Sequence, residues 1–214
     1  MHPSGVFHET DPQRLAALVA ERGLAVIVAW LGDRAVAAHA PVLLAKGERL
    51  RFHLSGANPL CAALAAGSRA LAVVTGPDAY VSPDWYRAAD QVPTWNYLSV
   101  EIEGPVRRLT RVETAGLLDD LAAHFEARLA PKPPWTRQKM TPSRFEAMLG
   151  AIVGFELSVE RLEGISKLSQ NKPADEVARL AARLAERPDS GSRRIAGLMT
   201  AEPDGSSGGQ DGLE

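Results

Sequence analysis

The densest group of chemically capable side chains lies between Tyr80 and Tyr97. Five of the chain's twelve aromatic residues (four Trp, three Tyr, five Phe) fall there: Tyr80, Trp85, Tyr86, Trp95 and Tyr97. They are interspersed with Gly, Pro, Ser and Asn in GPDAYVSPDWY and VPTWNY. Flat rings with hydrogen-bonding tips suit a planar ligand, a subunit interface or core packing. Single-stranded nucleic acid fits less well, because such sites interleave cations and only Arg87 is basic here. A second segment, FHLSGANP, puts His53 and Ser55 on one strand face. Asn58 follows at a helix start, where backbone N–H groups can receive an anion such as phosphate, or where Asn58 simply caps. A third, SKLSQN, joins the mobile cation Lys167 to Ser169, Gln170 and Asn171, as a polar binding loop or as ordinary surface.

Other chemistries lack their signatures. There is no GxGxxG, phosphate-binding P-loop, CxxC or HExxH motif. The five histidines, His2, His8, His39, His53 and His124, do not pair at metal-ligand spacing, so no metal is expected. No residue pairs with a carboxylate as a general base would, so no catalytic side chain is assigned. Cys61 is the sole cysteine, which excludes an intrachain disulfide, and within NPLCAALAAG it reads as a small helix hydrophobe. A net charge of -2 gives no global attraction to nucleic acid or anionic lipid. The longest apolar run, LAVIVAWLG, is too short to span a bilayer, and no signal-like segment opens the chain. A cytoplasmic protein is expected.

The elements that must position these groups are mostly strands. Asp11-Pro12 starts a helix that Gly23 ends. LAVIVAWL, AVAAHAPVLLA, LRFHLS and RALAVVTG read as strands, the second bent or split. TWNYLSVEIEGPVRRL reads as one long strand, or two broken near Gly104-Pro105. Thr110 and Glu113 form a capping box ahead of an amphipathic helix. AIVGFELSVERLEG reads as a single final strand, followed by a polar loop and the helix ADEVARLAARLAER. From Pro188 the composition turns Gly- and Ser-rich, so 188–214 reads as a disordered tail after a single domain over 1–187. The pattern is mainly β with peripheral helices, an antiparallel barrel or sandwich.

Taken together, FHLSGANP, GPDAYVSPDWY, VPTWNY, FELSVERLEG and KLSQN resemble the PaiB family, in the family's order and over roughly residues 1–180. Its members are described as FMN-binding negative transcriptional regulators. The resemblance implies an FMN-binding split β-barrel, usually a homodimer with FMN at the interface contacted by both chains. Position by position, it implies His53, Ser55 and Asn58 near the flavin phosphate, and Tyr80, Val81 and Ser82 near the ring or ribityl chain. It further implies Trp85 and Trp95 as pocket walls, with Lys167, Ser169 and Gln170 closing the site. His39 and Pro41 match a His-x-Pro stretch that would touch the flavin edge. Two departures bear on binding: Gly56 stands where many relatives carry arginine in HxARANP, and Ile165-Ser166 replaces an aromatic-containing stretch before KLSQN. A regulatory role, an FMN-dependent oxidoreductase or flavin reductase, and a dimer that has lost flavin all remain open. DNA is an allowed partner without an evident reading motif; EVARLAARLAER, with Arg179, Arg183 and Arg187, reads as a packing or solvated helix. No membrane partner is expected.

Overall fold

The computed structural model describes residues 2–45, 48–64 and 67–201. In chain order the elements are β1 His8–Glu9, α1 Pro12–Arg22, β2 Leu24–Leu31, β3 Arg34–Ala45, β4 Arg49–Ser55, α2 Leu60–Ala63 and β5 Arg69–Val81. There follow β6 Thr94–Arg108, α3 Arg111–Glu126, α4 Pro142–Leu149, β7 Ile152–Ser158, β8 Arg161–Lys167, α5 Ala174–Ala185 and α6 Ser190–Thr200. Two compact units divide the chain. The first holds His8–Gly76 and Ser99–Ile165; the second holds His2–Phe7, Pro77–Leu98 and the described residues from Ser166 onward.

The first unit is a barrel. Strand order runs β1-β8-β6-β5-β2-β3-β4-β7, and β7 also pairs with β6, closing six strands into a ring. The β2–β3, β2–β5, β3–β4, β4–β7 and β6–β7 ladders are antiparallel. Alternation decides which residues fill it. Ala25, Ile27 and Ala29 of β2, Leu50, Phe52 and Leu54 of β4, and Val100, Ile102 and Val106 of β6 all point inward and are buried. Phe52 and Phe155 are cross-strand partners whose rings stack at 5.5 Å. The mainly β, split-barrel expectation is met.

Helices seal this barrel with the predicted caps. The Asp11 carboxylate accepts from Gln13 N at 2.8 Å, and Gly23 ends α1 at φ 60. Thr110 and Glu113 form the capping box of α3, which buries Leu117 and Leu121 against Leu109. β6 runs unbroken through Gly104-Pro105. Glycine at 104 lets it pass close to the end of β7, since a Cβ there would stand 1.8 Å from the Ser158 carbonyl oxygen. The AIVGFELSVERLEG segment is two strands, β7 and β8, rather than one. The turn between them is held from outside: Val159 N donates to Glu48 O, and Glu160 N to Glu103 O.

In the second unit α5 and α6 pack against Ala79, Val81 and Leu98. Here the structure departs from the tail reading. Residues 190–200 are helical, capped by Asp189 on Ser192 N at 2.7 Å, and Ile195 and Ala196 are buried against Leu184 and Ala79. Residues 202–214 lie outside the described residues. No described helix is long and apolar enough to cross a membrane.

Candidate functional site

The outer surface of the barrel carries the first set of predicted residues. On β2, Leu24, Val26, Val28 and Trp30 alternate outward, and Trp30 is 67 % exposed. Val26 pairs with His39 of β3 on one side and Val73 of β5 on the other; Val28 pairs with Ala37 and Leu71. The result is an apolar sheet face with His39 exposed within it. This face is not recognisable in the sequence, because LAVIVAWL reads equally well as a strand buried on both sides.

His53 lies elsewhere on the barrel. It shares its β4 face with Arg51, whose guanidinium donates to Asp120 of α3 at 2.8 Å. Its ladder partner, Gly154, lies close under Thr114 of the same helix. The His53 Nδ1 is buried without a hydrogen-bond partner among the described residues, and burial lowers the imidazole pKa from 6.5. Ser55 is exposed, and its carbonyl accepts from Asn58 N at 2.9 Å. The Asn58 side chain accepts from Leu60 N at 2.9 Å, so it works as a cap on the four-residue α2.

The second unit holds the remaining predicted residues and sorts them by side of the strand. β5 continues through Val81, so Tyr80 sits on a strand. Tyr80 and Trp95 are 45 % and 52 % exposed, with ring centroids 5.9 Å apart in an edge-to-face pair. Val81 faces the other way and is buried with Tyr86 and Leu180. Ser82 caps the short turn Pro83–Trp85, accepting from Asp84 N at 3.3 Å. Trp85 packs partly buried against the α5–α6 core, and its carbonyl accepts from Arg179 Nε at 2.8 Å. Within a single chain, Val81, Ser82 and Trp85 therefore brace the aromatic pair rather than flank it.

KLSQN divides in the same way. Lys167 Nζ donates to Thr94 Oγ1 at 2.6 Å and lies 5.6 Å from the Phe7 ring centroid. Burial lowers its pKa, and among the described residues no carboxylate pairs with it. Ser169 is buried and receives a hydrogen bond from the Asn96 amide at 3.0 Å. Gln170 ties the loop to the N-terminal segment, donating to Val6 O at 3.1 Å and accepting from Leu168 N at 2.7 Å. Two contributors escape the sequence reading. Asn96 is fully buried behind the aromatic strand, and Glu176 Oε1 accepts from Arg87 N and Ala88 N at 2.9 and 3.3 Å, fixing the loop after Trp85. Asn between two aromatics is a signal for a buried polar anchor; nothing in a helical Glu announces its partner.

The arrangement offers a flat aromatic ledge on one side of β6, backed by the buried Asn96 and Ser169, and at Thr94 on the alternate side a cation with no carboxylate partner among the described residues. The ledge is a fitting surface for a planar ligand.

The chain is similar to several known proteins. Residues 1–161 match the family described as "Putative FMN-binding domain". The chain is 28 % identical over 196 residues to the protease synthase and sporulation protein PAI 2 of Bacillus subtilis, covering 90 % of this chain and 93 % of that one. Its fold is similar to that of an FAD and haem binding protein from Mycobacterium smegmatis, at TM-score 0.58 and 24 % identity, over 79 % of this chain and 78 % of that one. The flavocytochrome Anf3 of Azotobacter vinelandii is similar at TM-score 0.58 and 17 % identity, over 78 % and 72 %.

Proposed function

From the premise that this chain belongs to the family of FMN-binding domains, matched across residues 1–161, we propose that it is an FMN-dependent oxidoreductase working as a homodimer. The observation that carries the reading is the solvent-facing pair of Tyr80 and Trp95, backed by a fully buried Asn96. Large aromatics left exposed on a strand whose other face is packed are surfaces kept free for a partner or ligand. Their rings suit the isoalloxazine. His39 and the apolar face around Val26 and Trp30 suit the contact between two copies. Bound FMN would supply the hydride or electron chemistry; the protein supplies orientation and access.

A transcriptional role is the second reading, and one observation weighs against its simplest form. The arginines of α5 and its C-terminal end that could meet DNA are engaged within the second unit. Arg179 bonds the Trp85 carbonyl, Arg183 lies 3.3 Å from Glu186 and Arg187 3.6 Å from Asp189.

The test is purification followed by FMN titration, light scattering for mass, and anaerobic addition of NADH or NADPH. Saturable binding with one FMN per chain, a dimer mass and bleaching of the flavin support the proposal. Absence of FMN binding overturns it. Binding without reduction, together with salt-resistant retention of a specific DNA, favours the regulator.

A further inference from the structure

The first unit contains a cavity of about 590 Å³ at one end of the barrel. Its walls are Leu64, Val106, Val153 and Phe155, and its rim carries Arg107, Arg108 and Cys61. The two arginines differ. Arg107 donates to Glu156 and Glu113, both at 2.9 Å. Arg108 has no carboxylate partner among the described residues. It continues the inward row of Val106 one step past the buried core, so its charge stands at the mouth of an apolar space. An arginine fork binds a carboxylate through two parallel hydrogen bonds, and a cavity of this volume accommodates a small molecule.

We propose that this cavity binds an amphipathic monocarboxylate, its head on Arg108 and its apolar tail against Val153 and Phe155. The cavity borders the FHLSGANP segment that the family resemblance ties to flavin, through Gly56 and the Ser55 carbonyl, so competition with FMN is the arm that separates the two ligands. Gly56 borders it, and a Cβ there would lie 3.3 Å from the Ala151 carbonyl oxygen.

Cys61 supplies the readout. It is the chain's sole cysteine, half-buried on the cavity rim, with its thiol donating to Ser55 O at 3.3 Å. Burial raises its pKa, while the Arg108 charge opposes that rise. The experiment measures alkylation of Cys61 by neutral iodoacetamide at alkaline pH, as the ratio of rates with and without octanoate. Taking the ratio within each variant cancels any change in thiol reactivity caused by the mutation. Octanoate is expected to slow alkylation saturably, whereas octanol is not. Arg108→Met should weaken octanoate by roughly tenfold or more. Ala62→Trp, at an exposed lining position, should abolish protection without unfolding the chain. The proposal is overturned if saturating octanoate gives no protection, if Arg108→Met is protected at the same concentration, or if FMN protects Cys61 and displaces octanoate.

Discussion

Ile195 gives a measurement that separates a folded α6 from a disordered tail. Its side chain is 0 % exposed and packs with Leu184, Ala79, Leu198 and Met199. Truncating a buried Ile to Ala costs about 2–5 kcal/mol, and the partly buried Leu198 and Met199 can close part of the void, which places this site near ~3 kcal/mol. For a chain of this size that lowers the melting temperature by about 6–12 °C. Gly197 provides a control of opposite sign. It sits inside α6, and beyond its chain neighbours and its own helix backbone no atom of the described residues lies within 4 Å of the place a Cβ would occupy, so Gly197→Ala should stabilise by about 0.4–1 kcal/mol. Thermal melts followed by circular dichroism read both. Opposite shifts support the packed helix; both variants melting with the wild type would refute it. Because Ala79 directly precedes Tyr80 on β5, Ile195→Ala should also weaken FMN binding.

Tyr80→Ala and Trp95→Ala should each lower FMN affinity by about tenfold, whereas Trp135→Ala should leave it unchanged; equal titration curves for Trp95→Ala and Trp135→Ala would defeat the assignment. Trp30→Glu should shift the mass measured by light scattering from dimer toward monomer, since it puts a charge on the apolar sheet face. His53 makes stability fall in acid. Its folded pKa is depressed by burial, so the unfolded chain takes up the proton first, and the neutral ring's contribution is complete above pH 6.5 and shrinks below it. His53→Leu should flatten that portion of the denaturation-versus-pH curve.

Local chemistry makes much of this molecule legible. Asp11 and Pro12, Thr110 and Glu113, and the alternation in LRFHLS each announce their structure because cap and pleat act within a few residues. Sequence reading fails where distant groups decide. Ser158-Val159-Glu160 contains no Gly, Pro or Asn, so nothing local marks a turn, and its backbone is held by Glu48 and Glu103. In SGSRRIAGLMT the Gly and Ser content masks Ile195, Leu198 and Met199, whose spacing is helical. The aromatic cluster is recognisable, but strand parity separates its members from their neighbours: Tyr80 and Trp95 face outward while Val81 and Ser169 are buried. Asn96 and Ser169 stand 73 residues apart, a distance over which single-sequence patterns say nothing about pairing.

The closed ring of strands has a consequence for self-association. A sheet with open margins invites copies to add strand to strand through unpaired backbone amides, and such growth has no natural end. Here β6 and β7 join, and the described sheet order ends at the two-residue β1. The pairing of two copies proposed above would then be broadside, through Trp30 and its neighbours. Recognition of that kind depends on shape and could be switched off by one side chain, so such pairing would stop at a defined stoichiometry instead of propagating into fibres.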